Sequence, residues 1–411
     1  MDFEDTPQEA EFRATVQKWL EENAPRRADD AADFLGDRVG RDWLQAQRDW
    51  QAKKAAAGYA RITWPKELGG LGGTPIQQVI FNQEESKLGI GGNTPFAIGL
   101  GMCIPTLMAY SDRPTQARYV KPALYGEEIW CQLFSEPAAG SDVAGLRTRA
   151  ERDGDGWIVN GQKIWTTGAQ ISDYGLLLAR TDSNAPKHKG LTMFYLSMKS
   201  PGVEVRPIKQ ASGASGFNEV FFTDVRIPDS QRVGEVGQGW TVALTTLMHE
   251  RLAVGGGQGG GLDVPQLIAL ARALEVEDGP AIKNAGVREK IADWYVRSAG
   301  LKYTTYRTMT ALSKGQQPGP EASIAKVVVA TKLQELSAFA MELEAEAGAL
   351  KGDDAPAHGA FQMGWTSAPG LRIAGGTDEI LRNIIAERVL GLPPDVRVDK
   401  DVPFNQLPGG R

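Results

Sequence analysis

The sequence predicts an α+β multidomain chain, with a helical N-terminal part, a β-rich middle and a helical C-terminal part. Three observations carry this. At 411 residues the chain exceeds what one core needs. Apolar residues recur at helical spacing before about residue 128 and again from Gly239 onward. Between them lie short β-rich runs separated by turn residues, as in a small β-barrel or sandwich. The boundaries so read are 1–128, 129–235 and 236–395, with a polar, proline-bearing tail over 396–411.

In the first part, Phe12, Val16, Trp19 and Leu20 form one face of an amphipathic helix. A second helix is predicted from about Trp43 to Ala57, ended by Gly58, and a third from Pro75 to Lys87, with proline at its start. In the middle part the strand-like runs are 129–135, 157–167, 174–180, 191–197, 203–208 and 219–227. Asn160-Gly161 sits between two β-rich runs and predicts a type I′ hairpin turn. In the last part Val287, Ile291, Trp294 and Leu301 mark one helix, and Val329, Leu333, Leu336, Ala340 and Leu343 the next. A final helix runs from about Thr377 to Leu390. Asp378 and Glu379 complement the dipole of its first turn, and Gly391 and Pro393 stop it.

Composition excludes several classes of function. The net charge of −6 argues against a nucleic-acid binder that relies on overall positive charge. Cys103 and Cys131 are too few for a disulfide framework, and His188, His249 and His358 lack metal-ligand spacing, so no metal site is predicted. The acidic N-terminus has no apolar signal core, and no run of 18 apolar residues predicts a membrane span. A cytoplasmic protein is expected. Glycine is abundant, 48 residues, without the periodicity of collagen, which points to many close backbone approaches.

Four motifs occur in order: Trp-Pro-x-Glu-x-Gly-Gly from Trp64, Ser-Glu-Pro-x-x-Gly-Ser-Asp over 135–142, Asn-Gly-x-Lys-x-Trp-x-Thr over 160–167, and Gly-Gly-Thr-x-Glu-Ile-x-Arg-Asn from Gly375. Together they resemble the acyl-CoA dehydrogenase flavoprotein family along the whole chain. The resemblance implies a helical N-terminal domain, a middle β-barrel and a C-terminal four-helix bundle. It also implies FAD as cofactor, an acyl-CoA substrate, a place in fatty-acid β-oxidation and an electron-transfer flavoprotein as acceptor. A homotetramer or dimer-based assembly is implied, with a heterotetramer as a variant. Acyl-CoA oxidase and a flavin-poor subunit of a heteromeric dehydrogenase are the alternative readings.

Site residues follow from the same resemblance. Period two along the strand places Trp165 and Thr167 on one face, suited to stacking on a flavin and bonding its nitrogen. FAD contacts are implied at Gln132, Phe134, Ser135, Gly140, Ser141, Trp165, Thr167, Thr377 and Glu379, and substrate contacts at Ser141, Met248, Arg251 and Gly375. Dehydrogenation needs a base for the α proton while the β hydrogen leaves as hydride to the flavin. Many members carry that base just before the Gly-Thr of the last motif, where this chain has Gly375. Isovaleryl- and long-chain-type members carry it on a helix before an arginine, which here is Glu250 before Arg251. Glu250 lies seven residues after Ala243 and three after Leu247, beside an apolar stripe whose desolvation would raise a carboxyl pKa. The backbone N–H at Gly375 is implied as a donor to the thioester carbonyl. His249 faces about 100° away on a helix, with a structural role.

Two family segments are missing. An Arg-x-x-Phe-Gly segment is replaced over 271–295, and a Gly-Gly-x-Gly-Tyr segment over 344–359, which resembles an actinobacterial-type branch with different cofactor contacts between subunits. The glycine run 255–261 formally contains Gly-x-Gly-x-x-Gly, but no βαβ unit surrounds it, so it is not a dinucleotide loop. A cavity for a bulky acyl group and a helix break with close packing both account for it.

Overall fold

Period-two and period-3.6 patterns resolve in the computed structural model, which describes residues 5–25, 41–88, 95–255, 262–277, 279–314, 316, 319–320, 322–396 and 399–408. The first helices are α1 (Pro7–Asn23), α2 (Arg41–Ala56), α3 (Pro75–Lys87), α4 (Ile104–Tyr110) and α5 (Arg113–Leu124). The strands β1 (Trp130–Leu133), β2 (Arg149–Asp153), β3 (Gly156–Thr167), β4 (Tyr174–Arg180), β5 (Leu191–Ser197), β6 (Val203–Ile208), β7 (Phe217–Pro228) and β8 (Arg232–Val233) follow. Then come α6 (Gly239–Gly255), α7 (Val264–Ala273), β9 (Glu275–Val276), β10 (Gly279–Pro280) and α8 (Ala285–Ser313). The chain continues through α9 (Ala322–Leu343), α10 (Ala360–Ile373) and α11 (Asp378–Arg388). These elements fall into two compact units, one within Met1–Leu35, Pro75–Gly92 and Gly255–Pro394, the other within Gly36–Thr74, Asn93–Val254 and Asp395–Arg411.

The second unit is built on a mixed sheet in the order β6-β7-β3-β2-β4-β5-β8, with β1 parallel to β4. The sheet curls round an interior of Cys131, Leu133, Trp157, Val159, Leu177, Ala179, Phe194, Leu196, Val220 and Ile227, the core of an open barrel. Residues alternating with these on β4 and β5 (Leu176, Leu178, Leu191, Met193, Tyr195) pack against Ile104, Leu107, Val120, Leu124, Val242 and Ala243 of the flanking helices. Both faces of β4 and β5 are therefore covered, which is why their sequences are nearly continuous apolar runs.

The Asn160-Gly161 hairpin is a correction. Residues 156–167 are one continuous strand, and the tight turn is at Gly154-Asp155, where Asp153 pairs with Gly156. Asn160-Gly161 is instead a bulge against β7, with the Asn160 amide and Asp224 exchanging two hydrogen bonds of 3.0 Å. Two pairing partners, β2 and β7, outweigh the local turn preference.

In the first unit α1 begins with a capping box, Thr6 accepting from the Glu9 N–H while the Glu9 carboxylate accepts from Thr6 N–H. Val16 and Leu20 are its buried positions, and α1 packs on α3. The α9 helix lies among α7, α8, α10 and α11, around Leu267, Ala271, Val287, Ile291, Trp294, Leu336, Ala340 and Phe361. Val329 is exposed, so the buried apolar positions of α9 are Ala330, Leu336 and Ala340, without the residue at which the spacing put the start of the stripe. Among the described residues no helix is long and apolar enough to cross a membrane.

Candidate active site

The barrel presents its candidate residues along β1, the following loop and the end of β3. Gln132 lies on β1, half-buried, and Phe134 just beyond it is buried. The loop then closes a tight turn, with Glu136 and Ala139 exchanging backbone hydrogen bonds of 3.0 Å. Gly140 and Ser141 are exposed, and a side chain at Gly140 would meet nothing within 4 Å. Among the described residues the backbone N–H groups of Ser135, Gly140 and Ser141 donate to no protein acceptor. The Ser135 carbonyl accepts from the Ile164 N–H at 2.9 Å, which ties the loop to β3 beside Trp165.

A register shift between Lys163 and Thr166 marks a second bulge in β3, and Trp165 there has φ +59°. A left-handed backbone at a bulky residue costs on the order of 1–3 kcal/mol and concentrates at functional sites. The bulge reverses the alternation: Lys163 is fully buried, Trp165 is 55% exposed, Thr166 is buried and Thr167 exposed. Trp165 and Thr167 thus share the open side as the spacing predicts, with Phe217 edge-on to the indole at 6.0 Å.

The α6 helix carries the candidate base. Its buried residues Val242, Ala243 and Thr246 face the flanking helices of the same unit. Two hydroxyl pairs clamp it to α4, Thr246 to Thr106 and Thr245 to Tyr110, each at 2.9 Å. Position 250 lies on the same helix, four residues after Thr246. Met248 is exposed. His249 is half-buried, and burial first, then the positive charge of Arg61, holds its pKa below the usual value. The side chains of Glu250 and Arg251 lie outside the described residues, as does the glycine run beyond Gly255.

The third group sits in the other unit, in the turn from α10 to α11. Gly375 and Gly376 have φ of +67° and +96°, a left-handed pair that reverses the chain. Lys326 donates to the Gly376 carbonyl at 2.6 Å, and the buried Asp378 accepts from Arg372 at 2.7 Å. Thr377 caps α11, its hydroxyl accepting from the Ile380 N–H at 3.2 Å. Glu379 is exposed, and its own backbone N–H, then the Thr377 hydroxyl, hold its carboxyl below the usual range. The predicted residues therefore form three clusters, each held by its own backbone hardware. Sequence reasoning missed the hardware itself: Thr106, Tyr110, Thr245 and Thr246 on α4 and α6, and Glu136 with Lys163 in the barrel. The last two stand inside the quoted motifs, which was the available signal.

The N-terminal, middle and C-terminal domain models of acyl-CoA dehydrogenases match residues 6–127, 131–225 and 237–390. The acyl-CoA dehydrogenase IpdE1 of Mycobacterium tuberculosis is 34% identical over 392 residues, covering 94% of this chain and 98% of that protein. Among solved structures, the Tcur3481-Tcur3483 steroid ACAD has a TM-score of 0.80 at 26% identity, covering 96% of this chain and 100% of that one. The ChsE4-ChsE5 complex of Mycobacterium tuberculosis has a TM-score of 0.78 at 28% identity, covering 96% and 100%.

Members of the matched family are FAD-dependent flavoproteins. The barrel residues fit that cofactor. An exposed indole on a strained bulge offers a stacking face, Thr167 offers a hydroxyl, and the uncommitted N–H groups of Ser135, Gly140 and Ser141 offer donors for carbonyl or phosphate oxygens. With three domain models matched in chain order and a relative aligned almost end to end, the chain belongs to the acyl-CoA dehydrogenase family.

Proposed function

We propose that the chain oxidises an acyl-CoA thioester to the trans-2-enoyl-CoA, with Glu250 taking the α proton. FAD, when bound, supplies the hydride acceptor. Trp165 and Thr167 would hold its ring system, with Gln132, Phe134, Ser135, Gly140 and Ser141 contributing the loop contacts and Thr377 and Glu379 the helix-end contacts. Ser141, Met248 and Arg251 would orient the acyl-CoA. The Gly375 N–H would donate to the thioester carbonyl, favouring the charge that develops there as the α proton leaves.

One observation carries the choice of base. The Gly375-Gly376 turn is left-handed at both residues, a conformation in which a side chain is strained, while Glu250 continues a helix clamped one turn earlier by Thr245 and Thr246. The test is Glu250→Gln, which keeps size and hydrogen bonding but cannot accept the proton. Acyl-CoA and FAD should still bind, and anaerobic flavin bleaching should slow by at least ~10²-fold, the lower range for a positioned general base. Bleaching at the unmodified rate, with FAD content intact, refutes the assignment.

A second reading concerns assembly and substrate. The steroid ACAD is named by two components, Tcur3481 and Tcur3483, and the ChsE4-ChsE5 structure is described as a complex. This likeness and the replaced Arg-x-x-Phe-Gly segment support a bulky, ring-bearing acyl group and a heteromeric assembly over a symmetric homotetramer. Mass measurement of the purified chain with FAD-to-chain stoichiometry tests it, a flavin-replete homotetramer counting against it. Electron-transfer flavoprotein is the proposed acceptor and the cytoplasm the proposed compartment. Oxygen uptake at the turnover rate without an added acceptor would favour the oxidase reading.

A further inference from the structure

The two middle-domain motifs meet at a buried ion pair. Lys163 is fully buried, and its ammonium donates to the Glu136 carboxylate at 2.8 Å and to the Phe134 carbonyl at 3.0 Å. Glu136, itself buried, also accepts the N–H groups of Arg147 at 2.6 Å and Thr148 at 2.9 Å. Burial, the largest single influence, pushes the Glu136 carboxyl up, but Lys163 and these donors outweigh it and hold it below its usual value. Two charges therefore fasten three stretches of chain: the loop after β1, the lead-in to β2, and β3.

The fastened points flank the groups assigned to the flavin. Ser135 directly precedes Glu136, and its carbonyl is bound by the residue that directly follows Lys163. The bulge that turns Trp165 outward opens at Lys163. Had the alternation continued, Lys163 and Trp165 would share a face, and either the ammonium would leave the core or the indole would enter it. The inward ammonium, satisfied among the described residues by Phe134 and Glu136, fixes which way the strand resolves that conflict. Stability alone is a weak reason for such a pair, because well-packed apolar replacements are often neutral or stabilising.

We propose that Glu136 and Lys163 are a positioning pair for the flavin. They lock the 134–136 loop and the 163–166 bulge in one register, so that Ser135 and Trp165 reach the cofactor in a fixed relation. Neither touches the flavin; they act through backbone. The proposal rests on the flavoprotein reading above.

The full-length chain carrying Glu136→Gln with Lys163→Met tests it. The double variant leaves no uncompensated buried charge. The amide oxygen introduced by Glu136→Gln keeps one of the two backbone donors, Arg147 or Thr148, which bond different oxygens of the carboxylate, and the unbranched thioether chain introduced by Lys163→Met replaces the aliphatic stem of the lysine. It therefore remains informative where Lys163→Met alone fails to fold. Three quantities are read: the melting temperature of FAD-stripped protein, the FAD Kd from flavin fluorescence, and the oxidised-flavin absorption spectrum. A positioning pair predicts a Kd weakened at least ~10-fold (about 1.4 kcal/mol) and a shifted spectrum, with the stripped protein still folded. It further predicts that Trp165→Phe weakens FAD binding less in the double-variant background than alone, because the indole is already misplaced. An unchanged Kd and spectrum, whatever happens to melting, or strict additivity with Trp165→Phe, overturns it. An unmodified chain that takes up no FAD overturns the flavoprotein reading and this proposal with it, whereas normal uptake by both proteins overturns the proposal alone.

Discussion

Phe404→Ala should loosen a loop far from it in sequence. Phe404 is buried on the barrel unit, and the Arg180 guanidinium lies 3.5 Å from its ring centroid. The covered Arg180 donates to the carbonyls of Ala144 at 2.6 Å and Leu146 at 3.1 Å, so it holds the turn that follows Ser141. Lys187 repeats the connection, pairing with Asp142 at 3.0 Å and with Asp399 of the same C-terminal segment at 2.5 Å. Two backbone bonds of 3.0 Å, Phe404 to Ala185 and Asn405 to Ser183, complete the docking. The segment read from sequence as a polar tail thus covers the guanidinium that fixes a candidate flavin loop.

The magnitude follows from the buried area. A phenylalanine buries roughly 150–250 Å², worth about 4–6 kcal/mol at ~25 cal/mol per Å² as an upper bound. The contact with Arg180 adds about 0.5–2 kcal/mol. Detachment of a short segment caps the loss, because the rest of the unit need not unfold with it. We therefore expect docking to weaken by about 3 kcal/mol, or roughly 10²-fold faster amide hydrogen exchange over 404–407. Because Arg180 loses its cover, the amides of 146–148 should exchange faster too. Its pKa, which burial holds at about 10, should rise. Phe404→Leu should lose about half as much. Faster exchange over 404–407 with 146–148 unchanged would refute the coupling, and unchanged exchange in both would refute the docking.

Four further outcomes follow. Gly161→Ala brings a methyl to 2.5 Å from the Thr148 hydroxyl and 2.7 Å from its Cα at φ +152°, so urea denaturation should show a loss of about 2 kcal/mol. Gly375→Ala at φ +67° should cost about 1–2 kcal/mol by the same measurement and lower acyl-CoA affinity if the turn deforms. Thr246→Val removes the hydroxyl that pairs with Thr106 and should lower stability by about 1 kcal/mol, with Thr246→Ser restoring most of it. The Glu136 carboxyl is held below its usual value in the folded chain, so its stabilisation is full above the ordinary glutamate range and is lost as pH falls through the folded pKa. Urea midpoints from pH 6 down to pH 3 should therefore fall less steeply in Glu136→Gln than in the unmodified chain.

Which features the sequence reveals depends on how locally each is determined. The strands over 174–180, 191–197 and 203–208 match the strand-like runs between turn residues residue for residue. β2, Arg149–Asp153, is invisible because only Ala150 points inward on a sheet whose other side there meets water. Asn160-Gly161 misleads for the opposite reason: its dihedral preference is real, but a strand paired on both sides uses it for a bulge. Charges in the core are the hardest to foresee. A lysine in a strand is ordinarily solvated, and nothing in the two motifs says that Lys163 and Glu136, 27 residues apart, cancel one another.

The candidate base shows what remains legible when the fold is known only by pattern. At position 375 the sequence displays a missing carboxylate, and the left-handed φ supplies the reason that glycine suits the turn. The proposed placement of the base at Glu250 would leave that turn to be closed by its own contacts, the Lys326 ammonium on the Gly376 carbonyl and Arg372 on Asp378. It transfers the burden of positioning to α6, where an otherwise apolar face carries two adjacent threonines bonded to α4. A buried hydroxyl such as that of Thr246 is costly unless paired, and it and the half-buried Thr245 hydroxyl are both paired. The chemistry in the motif and the polar pairs outside it are thus two parts of one arrangement, and only the first is written as a motif.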